Sequence, residues 1–99
     1  PRFAPGETMV VQGVTNRKPD NTIFVEVVDG PGAARFEAAT ASGWGADGLW
    51  SARIRVPPGT RPGTYTIRSD DGDYFDSVRV EVGPDRGNAT VGGRRTTEP

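Results

Sequence analysis

Asp70, Asp71, Asp73 and Asp76 place four carboxylates within seven residues, the densest acidic stretch of this 99-residue sequence. A hard cation such as Ca²⁺ takes six to eight oxygen ligands, and loops between strands supply them through clustered aspartates. Asp71, Asp73 and Asp76 are therefore candidate calcium ligands, with help from another loop. The stretch lacks the Asp-x-Asp-x-Asp-Gly order and closing Glu of a helix–loop–helix site. The same residues also read as a hairpin turn, in which Asp and Gly accept positive φ and the carboxylates face water. Other chemistry is limited by what is missing. Without histidine or cysteine, the chain has no imidazole base, thiolate nucleophile, zinc ribbon or disulfide framework. Paired carboxylates could still hydrolyse a bond, but a raised-pKa acid needs an apolar cleft, for which a domain this small leaves little room.

Three further features could carry function. Asn88-Ala89-Thr90 is the one N-glycosylation acceptor pattern; Asn16 and Asn21 fail because Lys18 and Ile23 occupy the hydroxyl position. Such triplets also arise by chance. Trp44 stands between two glycines, where it reads first as capping the end of the sandwich and otherwise as an exposed ring that could stack on a sugar. Trp50 is in register with Ala52 and Ile54 and reads as core. Arg53 and Arg55 alternate with apolar residues and would line an outer face, paired across strands with Glu26 or Glu81. Twelve basic against thirteen acidic residues leave no positive excess for binding nucleic acid.

The elements that must position these residues are short strands. Glycine (14) and proline (9) form nearly a quarter of the chain, clustered as punctuation between segments of period two. Trp50, Ala52, Ile54 and Val56 share one face, with Ser51, Arg53 and Arg55 on the other. Val78, Val80 and Val82 alternate with Ser77, Arg79 and Glu81, and Tyr65 with Ile67 against Thr66 and Arg68. Thr22–Val28 is apolar on both faces, which predicts a mid-sheet strand with its second face partly covered. Glu7–Val14 sets Met9 and Val11 against Val10 and Gln12. Arg35–Thr40 reads as strand or as a helical turn. Short turns between one-sided strands imply antiparallel pairing, and two such sheets must cover each other. The expectation is an all-β, immunoglobulin-like antiparallel β-sandwich of six to seven strands over residues 1–83, with inner rows that leave no cavity for chemistry. Pro62-Gly63-Thr64-Tyr65 supports it, since a tyrosine at a sandwich corner buries its ring and bonds its hydroxyl to nearby backbone. Residues 84–99 hold one bulky apolar residue, Val91, and read as a tail or linker. No apolar run reaches the ~20 residues of a membrane span and no signal-peptide pattern is present. A chain that starts at Pro1 is expected to be a piece of a longer one.

Several phrases occur together: Phe3-Ala4-Pro5-Gly6-Glu7-Thr8, Asn16-Arg17-Lys18-Pro19-Asp20-Asn21-Thr22, Val27-Val28-Asp29-Gly30-Pro31, Trp44-Gly45-Ala46-Asp47-Gly48-Leu49-Trp50-Ser51 and Pro62-Gly63-Thr64-Tyr65. In this order they resemble the membrane-proximal immunoglobulin-like domain of haloarchaeal surface-layer glycoproteins and related archaeal cell-surface proteins, over roughly residues 3–82. The resemblance implies an extracellular structural module of a cell-surface coat, without catalytic activity. Its partners would be neighbouring domains or subunits, and its chain would be anchored elsewhere, beyond a Thr-rich glycosylated stalk toward which Thr90, Thr96 and Thr97 would lead. The runner-up is an adhesion module that binds glycan or protein.

Overall fold

The computed structural model describes residues 1–84, which fold into seven strands: β1 (Arg2–Phe3), β2 (Thr8–Val14), β3 (Thr22–Asp29), β4 (Ala39–Ser42), β5 (Leu49–Arg55), β6 (Gly63–Asp70) and β7 (Phe75–Val82). Five form one sheet in the order β1-β7-β6-β3-β4, and β2 with β5 forms the second. The chain is all-β, and the two sheets face each other as a β-sandwich.

Periodicity explains the faces. Along β5, Trp50, Ala52 and Ile54 are buried and Ser51, Arg53 and Arg55 exposed, and buried Val56 follows the strand. Met9 of β2, Ile23 and Val25 of β3, Tyr65 and Ile67 of β6, and Val80 and Val82 of β7 complete one core. Each removes apolar surface from water, at roughly 25 cal/mol per Å². Between Gly30 and β4 the chain makes a 3₁₀ turn at Ala33–Arg35. The ambiguous Arg35–Thr40 segment thus takes a little of both expected forms: the turn ends at Arg35 and the strand begins at Ala39. Phe36, between them, packs on the Tyr65 ring with centroids 5.3 Å apart.

Three expectations need correction. The pairing is not wholly antiparallel, because β1 runs parallel to β7; two residues are too few to carry a readable pattern. β3 does lie mid-sheet, between β6 and β4, but its second face is open, with Phe24 59% and Val28 46% exposed. Val78 lies in the inward row, opposite Ile67, yet is 46% exposed. The second sheet is only two strands wide and does not reach over the first half of β7.

That shortfall leaves a cleft of about 310 Å³ between the sheets, with Ile23, Ile67 and Trp50 in its lining together with Val11, Asp76 and Val78. The interior is therefore not as completely filled as the strand pattern implied.

Candidate functional site

One end of the sandwich gathers most of the residues singled out by their chemistry. The β6–β7 hairpin turns through residues 71–74, between the paired Asp70 and Phe75. Asp71 organises the turn. Its backbone N–H donates to the Tyr74 carbonyl (3.1 Å), and its Oδ1 accepts from the N–H groups of Asp73 and Tyr74, both at 2.9 Å. Asp70 Oδ1 accepts from the Gly72 N–H at 2.8 Å. These are Asx turns, in which a short carboxylate replaces a backbone acceptor.

The charge facing this turn is Arg17. Its Nε lies 3.5 Å from Asp71 Oδ2, and its Nη2 donates to Asp73 Oδ2. Arg17 is itself held by the loops around it. Its backbone N–H donates to Thr15 Oγ1 (3.1 Å), and its carbonyl accepts the indole N–H of Trp44 at 2.9 Å. The Thr15 N–H donates to the Gly48 carbonyl at 2.9 Å. Gly48 has φ +73°, and a Cβ there would overlap the Thr15 carbonyl oxygen, so this close approach requires glycine. Three loops, following β2, preceding β5 and joining β6 to β7, are thereby tied together.

The candidate calcium ligands Asp71, Asp73 and Asp76 all have partners within the protein. Asp71 and Asp73 face a guanidinium, and Asp76 Oδ1 accepts the Ser77 N–H at 3.0 Å. Among the described residues no three acidic side chains gather as a metal-holding group. Sequence spacing brought the carboxylates together but could not show that a cation from another loop already lay against two of them.

Trp44, the candidate sugar-stacking ring, lies inward. It is 6% exposed, belongs to the core, and spends its one polar group on the Arg17 carbonyl. An indole tucked beneath a loop has no face free for a ligand. Trp50 is core, as its register predicted. Arg53 and Arg55 lie on the outer face of the small sheet, whereas Glu26 and Glu81 belong to the other sheet. Glu26 instead stands opposite Arg68 in register, and Glu81 accepts the Thr64 hydroxyl at 2.5 Å. The Arg68 guanidinium lies 4.1 Å from the Phe75 ring centroid, a cation–π contact. Asn88 falls outside the described residues.

The opposite end contains the tyrosine that the Pro-Gly-Thr-Tyr phrase predicted to be buried. Tyr65 is fully buried, its hydroxyl donating to the Arg61 carbonyl at 2.6 Å and accepting the Gly32 N–H at 3.0 Å. Both are structural bonds. Arg17, whose guanidinium faces the hairpin carboxylates, was not singled out by its chemistry: a lone arginine in a turn has no pattern that points across the fold.

No known family profile matches the chain. A cell surface glycoprotein of Halobacterium salinarum is 41% identical over 78 residues, covering 78% of this chain and 9% of the relative. A cell surface glycoprotein of Haloarcula marismortui is 42% identical over 77 residues, covering 76% of this chain and again 9% of the relative. The chain thus spans about a tenth of the length of the curated relatives it matches. It is related by sequence to a short segment of haloarchaeal cell surface glycoproteins.

Proposed function

We propose that this chain is an extracellular, non-catalytic module of a cell-surface glycoprotein, which spaces or packs subunits of a surface coat of the S-layer type. The observation that carries the reading is the 41% identity to a cell surface glycoprotein over 78 residues. The fold is compatible with it. A five-stranded sheet over a two-stranded one, with a corner tyrosine bonded four residues upstream, supports an immunoglobulin-like assignment for residues 1–83. Residues 84–99 would connect the module to the rest of its polypeptide, with Asn88 as a glycan acceptor. Among the described residues no helix is long and apolar enough to cross a membrane, so anchoring is assigned to another part of the protein.

The reading is tested in the native host. An antibody against the folded module should label intact cells, and the peptide carrying Asn88 should run heavier than its bare mass in the envelope fraction. Confinement of the chain to the cytosol would overturn the surface assignment, and an unmodified peptide would remove the glycan.

A further inference from the structure

The free edge of β2 stands out among the sheet edges. Among the described residues β2 pairs only with β5, and its other side borders the open cleft whose far wall is the β6–β7 turn and the first half of β7. Its seven residues, Thr8-Met9-Val10-Val11-Gln12-Gly13-Val14, contain no charge and no proline. Natural sheets guard their edges with charge, proline, bulges or brevity. The other edges show such guards: β1 has two residues and β4 four, β5 carries Arg53 and Arg55, and the part of β7 that β1 does not reach carries Asp76 and Arg79. β2 lacks all of them.

The backbone pattern states what this edge can bond. Val56 N–H donates to the Glu7 carbonyl and Thr15 N–H to the Gly48 carbonyl, in the register that pairs Thr8 with Arg55 and Val14 with Leu49. Hydrogen-bonded pairs alternate along an antiparallel ladder, so Met9, Val11 and Gly13 bond to β5. Thr8, Val10, Gln12 and Val14 turn their N–H and C=O groups outward.

We propose that β2 is a self-pairing edge, at which a second copy of this chain adds its own β2 antiparallel about a two-fold axis through Val11. This deepens the packing role proposed above and rests on that reading only for its biological setting. Val11 is the midpoint of the strand, and a two-fold axis there sets Thr8 opposite Val14 and Val10 opposite Gln12 of the other copy. Every outward-turned backbone group then finds a partner. A two-fold contact places each residue type against its mate from an identical surface. An uncharged strand is suited to this because no like charges meet across the axis. The exposed side chains of Val10 and Val14 would be partly covered by their new neighbours, and two small sheets would become one of four strands.

The chain has no cysteine, so cross-linking has no background. In this pairing the two Val11 residues face each other at a non-hydrogen-bonded position, with Cα atoms ~4.5 Å apart, within reach of a disulfide. Val11→Cys should therefore oxidise to a covalent dimer roughly tenfold faster than a Thr40→Cys control on the β4 edge. Sedimentation of the cysteine-free 99-residue chain should show a dimer fraction that rises with concentration. The register is tested by charge. V10K/Q12E sets Lys against Glu across the axis and should strengthen the dimer, whereas V10K/Q12K should weaken it, the two differing roughly tenfold in dissociation constant. Thermal melts of both variants confirm that the monomer fold is kept. A chain that stays monomeric to millimolar concentration, or Val11→Cys that oxidises no faster than the control, overturns the pairing and leaves the surface assignment untouched. Equal behaviour of the two charge variants overturns the Val11-centred register.

Discussion

The two ends of the sandwich hold their loops in different ways. At the Tyr65 end, a buried aromatic ring and its hydroxyl join the 30–32 turn to the loop before β6, with Phe36 packed on the ring. At the hairpin end, Arg17, its side chain 29% exposed, bridges a mostly covered Asp71 and an exposed Asp73 beside an open cleft. Apolar burial with satisfied polar groups is worth several kcal/mol, whereas an ion pair that water reaches from one side, as it does at Asp73, is worth about 0–1 kcal/mol. Stability should therefore be unevenly distributed, high around Tyr65 and low around the seam between β2 and β7.

The largest effect is expected from Gly30→Ala. Gly30 has φ +135°, and a methyl there would run into the Tyr65 ring, so backbone strain and overpacking add to a loss of about 3 kcal/mol or more. Tyr65→Phe keeps the ring but strands the Arg61 carbonyl and Gly32 N–H, for about 1–3 kcal/mol. Urea denaturation measures both, and a neutral Tyr65→Phe would erase the asserted difference between the ends. Next comes a contrast within one strand. Val80→Ala, at a buried position, should cost about 2 kcal/mol, and Val78→Ala, at the uncovered one, less than about 1 kcal/mol. Equal losses would mean that the seam closes in solution. Arg17→Ala ranks lower, at under about 1 kcal/mol and diminishing further as salt is added. Hydrogen exchange should quicken at the Asp73 and Tyr74 amides while those of β6 near Tyr65 hold. The smallest response is to calcium. With Arg17 already facing Asp71 and Asp73, millimolar calcium against chelator should move the melting temperature by less than about 1 °C. A rise of several degrees would mean that a cation displaces the guanidinium.

Much of the fold could be read from local pattern. The alternation from Trp50 to Val56, the buried and hydrogen-bonded Tyr65, and the Asp-Gly hairpin are each set by neighbours a few residues apart and appear as expected. Pro62-Gly63, by contrast, forms no turn: Gly63 already opens β6, and the chain turns earlier, at Pro58-Gly59. What escaped that reading depends on partners distant in sequence. Val78 has the same neighbours as a core valine, and its exposure follows from the width of the opposite sheet. Trp44 sits between glycines with no period to assign it a face, and a loop 27 residues away buries its N–H. The aspartate cluster was visible, but the arginine that answers it lies 56 residues before Asp73.

The amino-acid sequence on its own decided which residues turn inward along each strand and where the chain reverses, because side-chain alternation and turn chemistry act over two to four residues. Only the tertiary structure decided which inward residues are covered, which edge is left unpaired, and which charge meets the aspartates. Those outcomes depend on how many strands each sheet holds and which loops meet at its ends, and no short window of sequence contains that information.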